Sequence, residues 1–286
     1  MDIKHLRYYL VICECQSLTK ASHKLNIAQP SLSLILAQLE REYNCRLFDR
    51  LARKMVLTEE GKKLYQAAKL LIADFDQIPN LVNPNGTSFK LRIASSITYS
   101  TFSLLEKVKA IEKVFPEIEL ELIVDSSLVI EKLVKNLEVD LGIIEGESHF
   151  TNLELKAIKK DHLVFVVAKD SNILIKNKTE LANQAFLLRN KGSAHREIFD
   201  NWISTLKIPY KIKMESIDTN VLIKACKAGL GIAFLPYEFV KDYLDDSLRI
   251  INIEEDNEFS RQYSLVYYKQ KYFNEKSLDI VKILLE

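Results

Sequence analysis

Two short amphipathic segments near the N-terminus, joined by three or four residues, constrain the fold of this chain most strongly. Apolar residues at spacings of three and four predict a first helix over residues 3–13. Ser17 is placed to cap a second helix, and Pro30 suits the start of a third, which we expect to end near Tyr43. Spacing and periodicity together predict a helix-turn-helix. Its second and third helices would share a core of Ala21, Leu25, Ile27, Leu32, Leu36 and Leu39.

A basic wing is predicted directly after these helices. Residues 46–48 and 55–57 are two short extended pieces around a loop that contains Arg50, Arg53 and Lys54. Residues 1–58 hold nine Lys and Arg against five Asp and Glu, a net charge of +4, whereas the whole chain carries +1. The positive charge is therefore concentrated in the part that would face a polyanion such as nucleic acid.

A longer helix is predicted to start at Thr58, with two glutamates in its first turn, where the helix dipole favours carboxylates. Its apolar residues alternate spacings of four and three, and Pro79 should end or kink the helix near Ile78. This heptad stripe suits pairing with a second copy of the chain, and it also suits packing within one chain. The stripe consists of Leu64, Ala68, Leu71, Phe75, Ile78 and Val82.

Residues 80–88 contain proline, asparagine and glycine and predict a linker. Beyond the linker, apolar runs typical of strands alternate with amphipathic helical patterns, which predicts an α/β fold with a largely parallel sheet. A segment of roughly 200 residues suits either one large domain or two lobes, and the pattern leaves both open. The strand candidates are residues 91–94, 120–124, 141–144, 163–168, 186–188 and 232–235.

Several functional classes are disfavoured by the sequence. The apolar runs are far shorter than the roughly 20 residues of a membrane-spanning helix, and charged residues interrupt the N-terminus where a signal peptide needs an apolar core, so we expect a cytoplasmic protein without membrane contact. A transport-type solute-binding protein would explain the α/β segment but not the N-terminal module. HExxH, P-loop and GxSxG motifs are absent, and neither the five histidines nor the four cysteines have metal-site spacing. We expect reduced thiols, no catalytic residues, no metal and no cofactor.

The N-terminal residues contain a series of motifs in order and without gaps: LRYY at 6–9, SLTKAS at 17–22, Leu25, QPSLS at 29–33, LE at 39–40, LFDR at 47–50 and LTEEG at 57–61. In this series the chain resembles the winged helix-turn-helix of the LysR-type transcriptional regulators. The later segment KACKAGLGIAFLP at 224–236 is similar to part of the effector domain of that family, and the total length agrees.

The resemblance implies three parts. Residues 1–58 would be the winged helix-turn-helix DNA-binding domain, residues 59–87 a linker with a dimerisation helix and hinge, and residues 88–286 a two-lobed, periplasmic-binding-protein-like effector domain. Lobe I would comprise residues 88–161 and 269–286, and lobe II residues 162–268. The family likeness also implies a dimer or a dimer of dimers, held partly by Leu64, Ala68, Leu71, Phe75 and Ile78.

For DNA, the resemblance places the third helix in the major groove, and a two-fold dimer would meet two half-sites of an inverted repeat in a promoter. Gln29 is the first choice for base reading, because its amide can pair bidentately with an adenine edge. The hydroxyls at the start of the second helix would contact phosphates or cap the helix, and the wing would contact phosphates or the minor groove or form an ordinary solvated cluster. The full DNA-binding set is Ser17, Thr19, Gln29, Pro30, Ser31, Ser33, Leu34, Arg50, Arg53 and Lys54.

Four positions depart from the family pattern. Leu34 and Ile35 stand where members of the family commonly carry a basic residue and then Gln, so specificity should rest more on Gln29, the wing and DNA shape. Ala28 replaces the usual hydroxyl cap of the third helix. Asn44 replaces a common glycine and tolerates the left-handed conformation.

A small-molecule site is predicted at the carboxyl ends of the strands, where four strand-to-helix junctions carry short polar groups. Such groups suit a small anion such as a carboxylate, although each alone is typical of a helix cap. Arg196 or His195 could neutralise the charge of such an anion. The predicted effector-binding set is Ser95, Ser96, Thr98, Ser126, Ser127, Gly192, Ser193, Arg196, Thr219 and Asn220.

These observations predict a sequence-specific transcriptional regulator whose activity responds to a small effector bound between two lobes, with RNA polymerase as a further partner. A redox-sensing regulator that uses Cys226 is the alternative. An intramolecular disulfide switch would need a second cysteine in the effector domain, and Cys226 is the one cysteine there, so oxidation would have to act on a single thiol.

Overall fold

The computed structural model describes residues 2–51, 54–82, 89–175, 177–251, 253 and 259–286. The chain divides into two compact units. The first comprises Met1–Phe89 with the short segments Asn136–Glu138 and Tyr268–Ser277, and the second comprises Lys90–Lys135, Val139–Tyr267 and Leu278–Glu286.

The first unit begins with three helices, Ile3–Cys15 (α1), Leu18–Leu25 (α2) and Gln29–Glu42 (α3). The Ser17 hydroxyl accepts from the Lys20 amide at the start of α2, as predicted, whereas α3 has no side-chain cap at Ala28. The turn from α2 to α3 passes through Asn26 in the left-handed conformation. Helix spacing and caps therefore follow the sequence closely.

The core of this unit joins the three helices to the elements that follow. Of the six residues predicted to form the shared core, Ala21, Leu32, Leu36 and Leu39 are buried, and Leu25 and Ile27 pack against them partly exposed. Other buried members are Leu6, Tyr9, Ile12, Cys13, Leu47, Phe48, Met55, Ala68 and Ile72.

The wing is a two-stranded antiparallel sheet of Phe48–Leu51 (β1) and Lys54–Leu57 (β2). Thr58 then caps Glu59–Asp76 (α4), accepting from the Gly61 amide, and a separate short helix follows at Ile78–Val82 (α5). The C-cap of α4 is Gln77, two residues before Pro79, which fits the predicted break. Most of the predicted linker lies outside the described residues.

The remaining chain alternates strands and helices. The strands are Phe89–Ser96 (β3), Ile118–Asp125 (β4), Leu141–Glu145 (β5), Leu153–Ala168 (β6), Ala185–Arg189 (β7), Lys211–Ser216 (β8), Ile232–Pro236 (β9), Leu248–Ile251 (β10) and Phe259–Tyr268 (β11). The helices are Ile97–Tyr99 (α6), Leu105–Val114 (α7), Ser127–Lys135 (α8), Ala194–Leu206 (α9), Thr219–Lys227 (α10), Tyr237–Val240 (α11) and Glu275–Leu285 (α12). A π-helix, Ser100–Leu104, and two short 3-10 helices, Lys178–Leu181 and Lys241–Tyr243, complete the described elements.

The nine strands join in the order β4-β3-β5-β11-β6-β9-β7-β8, with β10 beside β6. The predicted parallel pairing holds for β3 with β5 and for β7 with β8 and β9. The sheet is nevertheless mixed, since β11 runs antiparallel to β5, and β6 runs antiparallel to both β9 and β10. The prediction of a largely parallel sheet missed these antiparallel pairs because the paired strands are not neighbours in the sequence: β11 is far from β5, and β6 is far from β9 and β10.

Two lobes are defined by this sheet. Lobe I contains β3, β4 and β5, and lobe II contains β7, β8, β9 and β10, while β6 and β11 run between them. Residues 263–266 of β11 already pair with β5, so the return to lobe I lies earlier than the predicted crossing near residues 268–270. The lobes also touch through the π-helix, because the Phe102 ring packs edge-on against Phe239 with centroids 4.4 Å apart.

Candidate functional site

The exposed face of α3 carries the residues predicted to read DNA bases. Gln29, Pro30 and Ser31 are exposed at the start of the helix, and Ser33 is half-buried. Leu34 is 68% exposed. Gln38 is also exposed one turn further on and was missed from the sequence, although its spacing of four from Leu34 places it on the same face.

The structure describes some of the residues that are predicted to contact phosphates, and it does not describe others. Ser17 is half-buried with its hydroxyl in the cap of α2, and Thr19 is exposed in the first turn. Arg50 pairs with Met55 in the register of the wing, and Leu51 pairs with Lys54. Arg53 lies outside the described residues. For Arg50 and Lys54 the structure describes the backbone pairing alone.

The heptad stripe of α4 and α5 has two kinds of surroundings. Ala68 is buried in the core of the N-terminal unit, and Leu64 packs against that core. Leu71, Phe75 and Ile78 are each nearly half exposed. The first two residues of the stripe thus pack within the chain, and the next three form an exposed apolar strip.

A small polar cavity lies between the two lobes and has a volume of about 20 Å³. It brings together the ends of β3, β4, β5 and β7 with the starts of α6, α8 and α9, the convergence that an α/β ligand site requires. Five of the ten residues predicted to bind an effector line it: Ser96, Thr98, Ser126, Ser127 and Ser193. The sequence prediction missed Ile97, Asp125, Glu145, Arg189 and Ala194, which also line it with His195.

Three of these hydroxyls also serve as caps or backbone acceptors. Ser96 accepts from the Tyr99 amide, Ser193 accepts from the Arg196 amide, and Ser127 accepts from the Glu145 amide at 3.0 Å. A hydroxyl that accepts from an amide can still donate its own proton, and Ser96 donates to Glu145, whose pKa this hydrogen bond helps to lower.

A buried charge network borders the cavity. Arg261, at the point where β11 crosses between the lobes, donates to Glu145 and to Asp161, the latter at 2.7 Å. The Tyr263 hydroxyl also donates to Asp161, and Glu145 Oε2 lies 3.1 Å from His195 Nε2. Burial alone would raise the pKa of Glu145, but Arg261 and His195 outweigh it and hold that pKa well below its usual range.

Two buried nitrogens at the cavity have no hydrogen-bond partner among the described residues, namely Arg189 Nε and His195 Nδ1. Arg189 is 6% exposed and uses Nη1 to donate to the Thr219 hydroxyl at 2.8 Å. His195 is 2% exposed, and burial lowers its pKa to about 4, with the neighbouring Arg261 and Arg189 acting in the same direction. Neutral pH therefore leaves the imidazole uncharged.

The other predicted effector residues lie elsewhere. The Arg196 guanidinium is held by Asp200 and Glu215, so it is not available at the cavity. Thr219 reaches the site through Arg189, whereas Asn220 is exposed at the start of α10. Ser95 is buried beside the cavity and Gly192 turns the chain before α9, and neither lines it.

A larger cavity of about 560 Å³ also has walls from both lobes, and none of the predicted effector residues lines it. Its walls are residues 146–149 after β5, the first part of α9 and residues 260–262 of β11, with Lys160. Among the described residues, no group of three or more His, Cys, Asp or Glu is arranged to hold a metal ion.

Cys226, the residue of the redox alternative, is buried in the core of lobe II, where its thiol lies 3.4 Å from the Val166 carbonyl. Burial raises the pKa of the Cys226 thiol to about 11. The reactive thiolate is therefore a small fraction at neutral pH.

Comparison with known families matches both parts of the chain. The family described as bacterial regulatory helix-turn-helix proteins of the lysR family matches residues 3–62, and the LysR substrate binding domain matches residues 84–286. The chain is 29% identical over 270 residues to the HTH-type transcriptional regulator CysL of Bacillus subtilis (strain 168), covering 92% of this chain and 89% of CysL. It is 31% identical over 247 residues to the nitrogen assimilation regulatory protein nac of Escherichia coli (strain K12), covering 82% and 78%.

Solved structures share the fold. Full-length OxyR from Pseudomonas aeruginosa superposes with a TM-score of 0.71 at 16% identity, covering 100% of this chain and 93% of OxyR. The regulatory domain of CcmR from Synechocystis PCC6803, in complex with 2-PG, superposes with a TM-score of 0.62 at 22% identity, covering 69% of this chain and 96% of that domain. Within the part of the chain that the structure describes, there is no helix of the length and apolarity that crossing a bilayer requires.

Proposed function

The chain belongs to the LysR family of bacterial transcriptional regulators, and from that premise we propose that it binds an inverted-repeat promoter site through α3 and the wing, under the control of a small effector bound between the lobes. The family match over both parts of the chain carries the regulatory function. We assign the chain no catalytic activity and place its action in the cytoplasm, where bacterial promoters lie.

The exposed face of α3 supports the assignment of base readers. Leu34 and Gln38, four residues apart, share one face, and Gln29 is exposed at the first residue of the helix. Two amides that can pair bidentately with adenine are thus exposed on α3, with one apolar side chain that suits a thymine methyl group. Ser31 and Ser33 add hydroxyls for phosphates or base edges, and Ser17 and Thr19 lie at the start of the helix that crosses the backbone. Pro30 would fix the entry of α3, and Arg50, Arg53 and Lys54 would supply charge from the wing.

The test of base reading is a pair of alanine variants on α3. The variant Gln29→Ala should lose discrimination between a selected target duplex and a scrambled duplex by roughly tenfold or more, since a bidentate base contact is worth about 1–3 kcal/mol. The matched control Gln16→Ala removes an exposed glutamine outside this face and should leave discrimination unchanged. If Gln29→Ala discriminates as well as the parent protein, the assignment of Gln29 is wrong.

For the effector, the small interlobe cavity supports the proposed site better than the larger one. Five predicted residues line it, its walls come from both lobes, and two buried nitrogens of lining residues have no hydrogen-bond partner in the described part of the chain. A ligand there would contact both lobes, and the packing of Phe102 on Phe239 would change if the lobes rotated. Effector binding would thus bias lobe orientation and, through the oligomer, the spacing of the DNA-binding heads or contact with RNA polymerase.

Oligomerisation is part of the proposal. Inverted-repeat recognition needs two copies, and the exposed strip of Leu71, Phe75 and Ile78 supports a dimer contact, with a dimer of dimers as the larger assembly. The structure of the CcmR regulatory domain in complex with 2-PG gives a precedent, in a protein of the same fold, for a small molecule bound to this domain.

A further inference from the structure

The unpartnered nitrogens at the interlobe cavity define what a ligand must offer. His195 Nε2 lies against a donor, Arg261 Nη1, and against an acceptor, Glu145 Oε2, so the protonated ring donates from Nε2 to Glu145 and carries its second N–H on Nδ1. Arg189 Nε also carries a proton. Both nitrogens are buried donors without an acceptor among the described residues, and an unmet buried donor is costly.

The helix that follows adds a further preference for negative charge. The N-terminal residues of α9, a helix of 13 residues, line the same cavity, and the partial positive charge of a helix N-terminus attracts anions. Two N–H donors beside this terminus therefore suit an oxygen anion.

The charges around the cavity limit the charge of that anion. The guanidinium groups of Arg189 and Arg261 are matched by the carboxylates of Glu145 and Asp161, and Asp125 adds one negative charge at the cavity wall. A dianion would leave a large uncompensated negative charge in a buried place, whereas a monoanion adds one. The volume of about 20 Å³ leaves room for one or two water-sized groups, so the bound group is compact.

His195 is placed to compensate the added charge. Its ring is faced by Glu145 from β5, by Arg261 from β11 and by Arg189 from the end of β7. When His195 carries its second proton, Nε2–H donates to Glu145 Oε2 at 3.1 Å, and Nδ1–H has no acceptor among the described residues. The same ring can therefore donate to the bound anion and accept the proton that balances it.

We propose that the interlobe cavity binds one compact monoanionic oxyanion, either a carboxylate group or a small inorganic ion, through Arg189 Nε–H and His195 Nδ1–H, and that His195 takes up a proton when this anion binds. The inference rests on the proposed function of the cavity as the effector site. In this inference the cation that binds the anion is Arg189, whereas the sequence pattern suggested Arg196.

The experiment follows the thermal unfolding of the full-length chain against increasing formate, nitrate and sulfate, with chloride at equal ionic strength as the reference. Formate and nitrate represent the organic and inorganic sources, and both stay ionised in the range used. Apparent affinity for at least one of them should rise roughly tenfold or more from about pH 7.5 to about pH 5.5, as proton uptake requires. Sulfate should bind at least roughly tenfold more weakly.

Variants distinguish anion binding at this cavity from a general effect of charge on stability. Arg189→Lys keeps the charge but removes the Nε donor and should weaken binding roughly tenfold or more, while Arg196→Lys, altering a guanidinium held outside the cavity, should change it less than about twofold. His195→Gln keeps a donor and should abolish the pH dependence. If a variant does not fold, the pH dependence and anion selectivity of the parent chain decide alone.

Stabilisation that is equal for sulfate and nitrate, or independent of pH, or unchanged in Arg189→Lys would overturn the inference. Its failure is distinct from failure of the proposed function. A chain that binds promoter DNA in response to some other metabolite, but ignores formate and nitrate, contradicts only this inference. A chain that binds nitrate through Arg189 without any change in DNA binding contradicts the effector role and leaves the anion site standing.

Discussion

The protonation of His195 links the buried charge network to the stability of the fold. Burial, reinforced by Arg261 and Arg189 and opposed by Glu145, lowers the pKa of His195 to about 4 in the folded protein, against roughly 6.5 in an unfolded chain. Below about pH 6.5 the unfolded chain binds a proton at His195 that the folded chain does not bind. The free energy of unfolding therefore falls as the pH falls toward 4. The pKa of Glu145 is lowered as well, and its contribution is lost only below about pH 4.5.

Between about pH 6.5 and about pH 4.5, the change of the unfolding free energy with pH therefore reports on His195. We predict that the free energy of unfolding of the C-terminal unit, followed by Trp202 fluorescence in urea, falls by about 2 kcal/mol from about pH 7 to about pH 5. Trp202 is the one tryptophan of the sequence and packs in the lobe II core, so it reports on this unit. His195→Gln should lose most of this slope, and a slope that survives the substitution would contradict the assignment.

Cys226 gives a second prediction at this scale. Because the thiol is buried and its pKa is raised to about 11, native protein should react with iodoacetamide at Cys226 at least roughly a hundredfold more slowly than unfolded protein. Mass spectrometry of labelled peptides measures this. Half-buried Cys15 and Cys45 serve as internal references. Rapid labelling of native Cys226, or a peroxide response that Cys226→Ser abolishes, would favour the redox alternative.

Sequence patterns predicted the hydroxyl groups that line the interlobe cavity better than its charged groups. Ser96, Thr98 and Ser193 were found because a strand followed by a short polar residue and a helix is a local signal. Arg189 and Glu145 come at the ends of the apolar runs 186–188 and 141–144, and that position was the available clue. Their pairing with residues such as Arg261 joins elements far apart in sequence, which no local pattern contains.

At the scale of elements, the wing and α4 are joined to the first helix by a close backbone approach. The Tyr9 hydroxyl donates to the Gly61 carbonyl at 2.7 Å, and a Cβ on Gly61 would lie 2.1 Å from the Leu47 carbonyl oxygen. Glycine in the LTEEG motif therefore serves packing rather than backbone conformation.

We predict that Gly61→Ala lowers the free energy of unfolding of the N-terminal unit by roughly 2 kcal/mol or more, because backbone must shift to admit the methyl group. Circular dichroism of chemical unfolding measures the change. Lys63→Ala, exposed on the same helix, is the control and should stay within about 0.5 kcal/mol of the parent. Equal stability of Gly61→Ala and the parent chain would contradict the close approach.

The exposed apolar strip of Leu71, Phe75 and Ile78 gives a prediction about dimerisation. Phe75→Ala should weaken dimerisation roughly tenfold or more in sedimentation equilibrium, because a large aromatic side chain at an interface contributes strongly. Lys62→Ala, exposed on the opposite face of α4, should leave it unchanged. If Phe75→Ala dimerises like the parent, the dimer contact lies elsewhere.

Elements with a strong period were predicted well, and polar strands were not. The three N-terminal helices and the six apolar strands were all located, with ends displaced by a few residues in most cases. Strands β8, β10 and β11 were missed because their residues alternate with polar or charged side chains, and the N-terminal half of β6 was missed for the same reason. Such strands take their place from pairing with a neighbour rather than from their own pattern.

At the scale of the whole molecule, charge is divided between the parts. The N-terminal residues 1–58 carry +4 while the chain carries +1, so DNA should bind this part by releasing counterions from the phosphates. The two-lobed architecture came from the family resemblance, because alternating strands and helices alone left one large domain equally open.

The most direct test of the account is selection of genomic fragments by the purified full-length chain at low salt, followed by footprinting of the enriched fragments. The account predicts enrichment of a small set of fragments that share an inverted repeat, with protected half-sites about one helical turn apart or a multiple of it. Equal retention of all fragments, with no common protected sequence in the presence of any candidate acid, would contradict it.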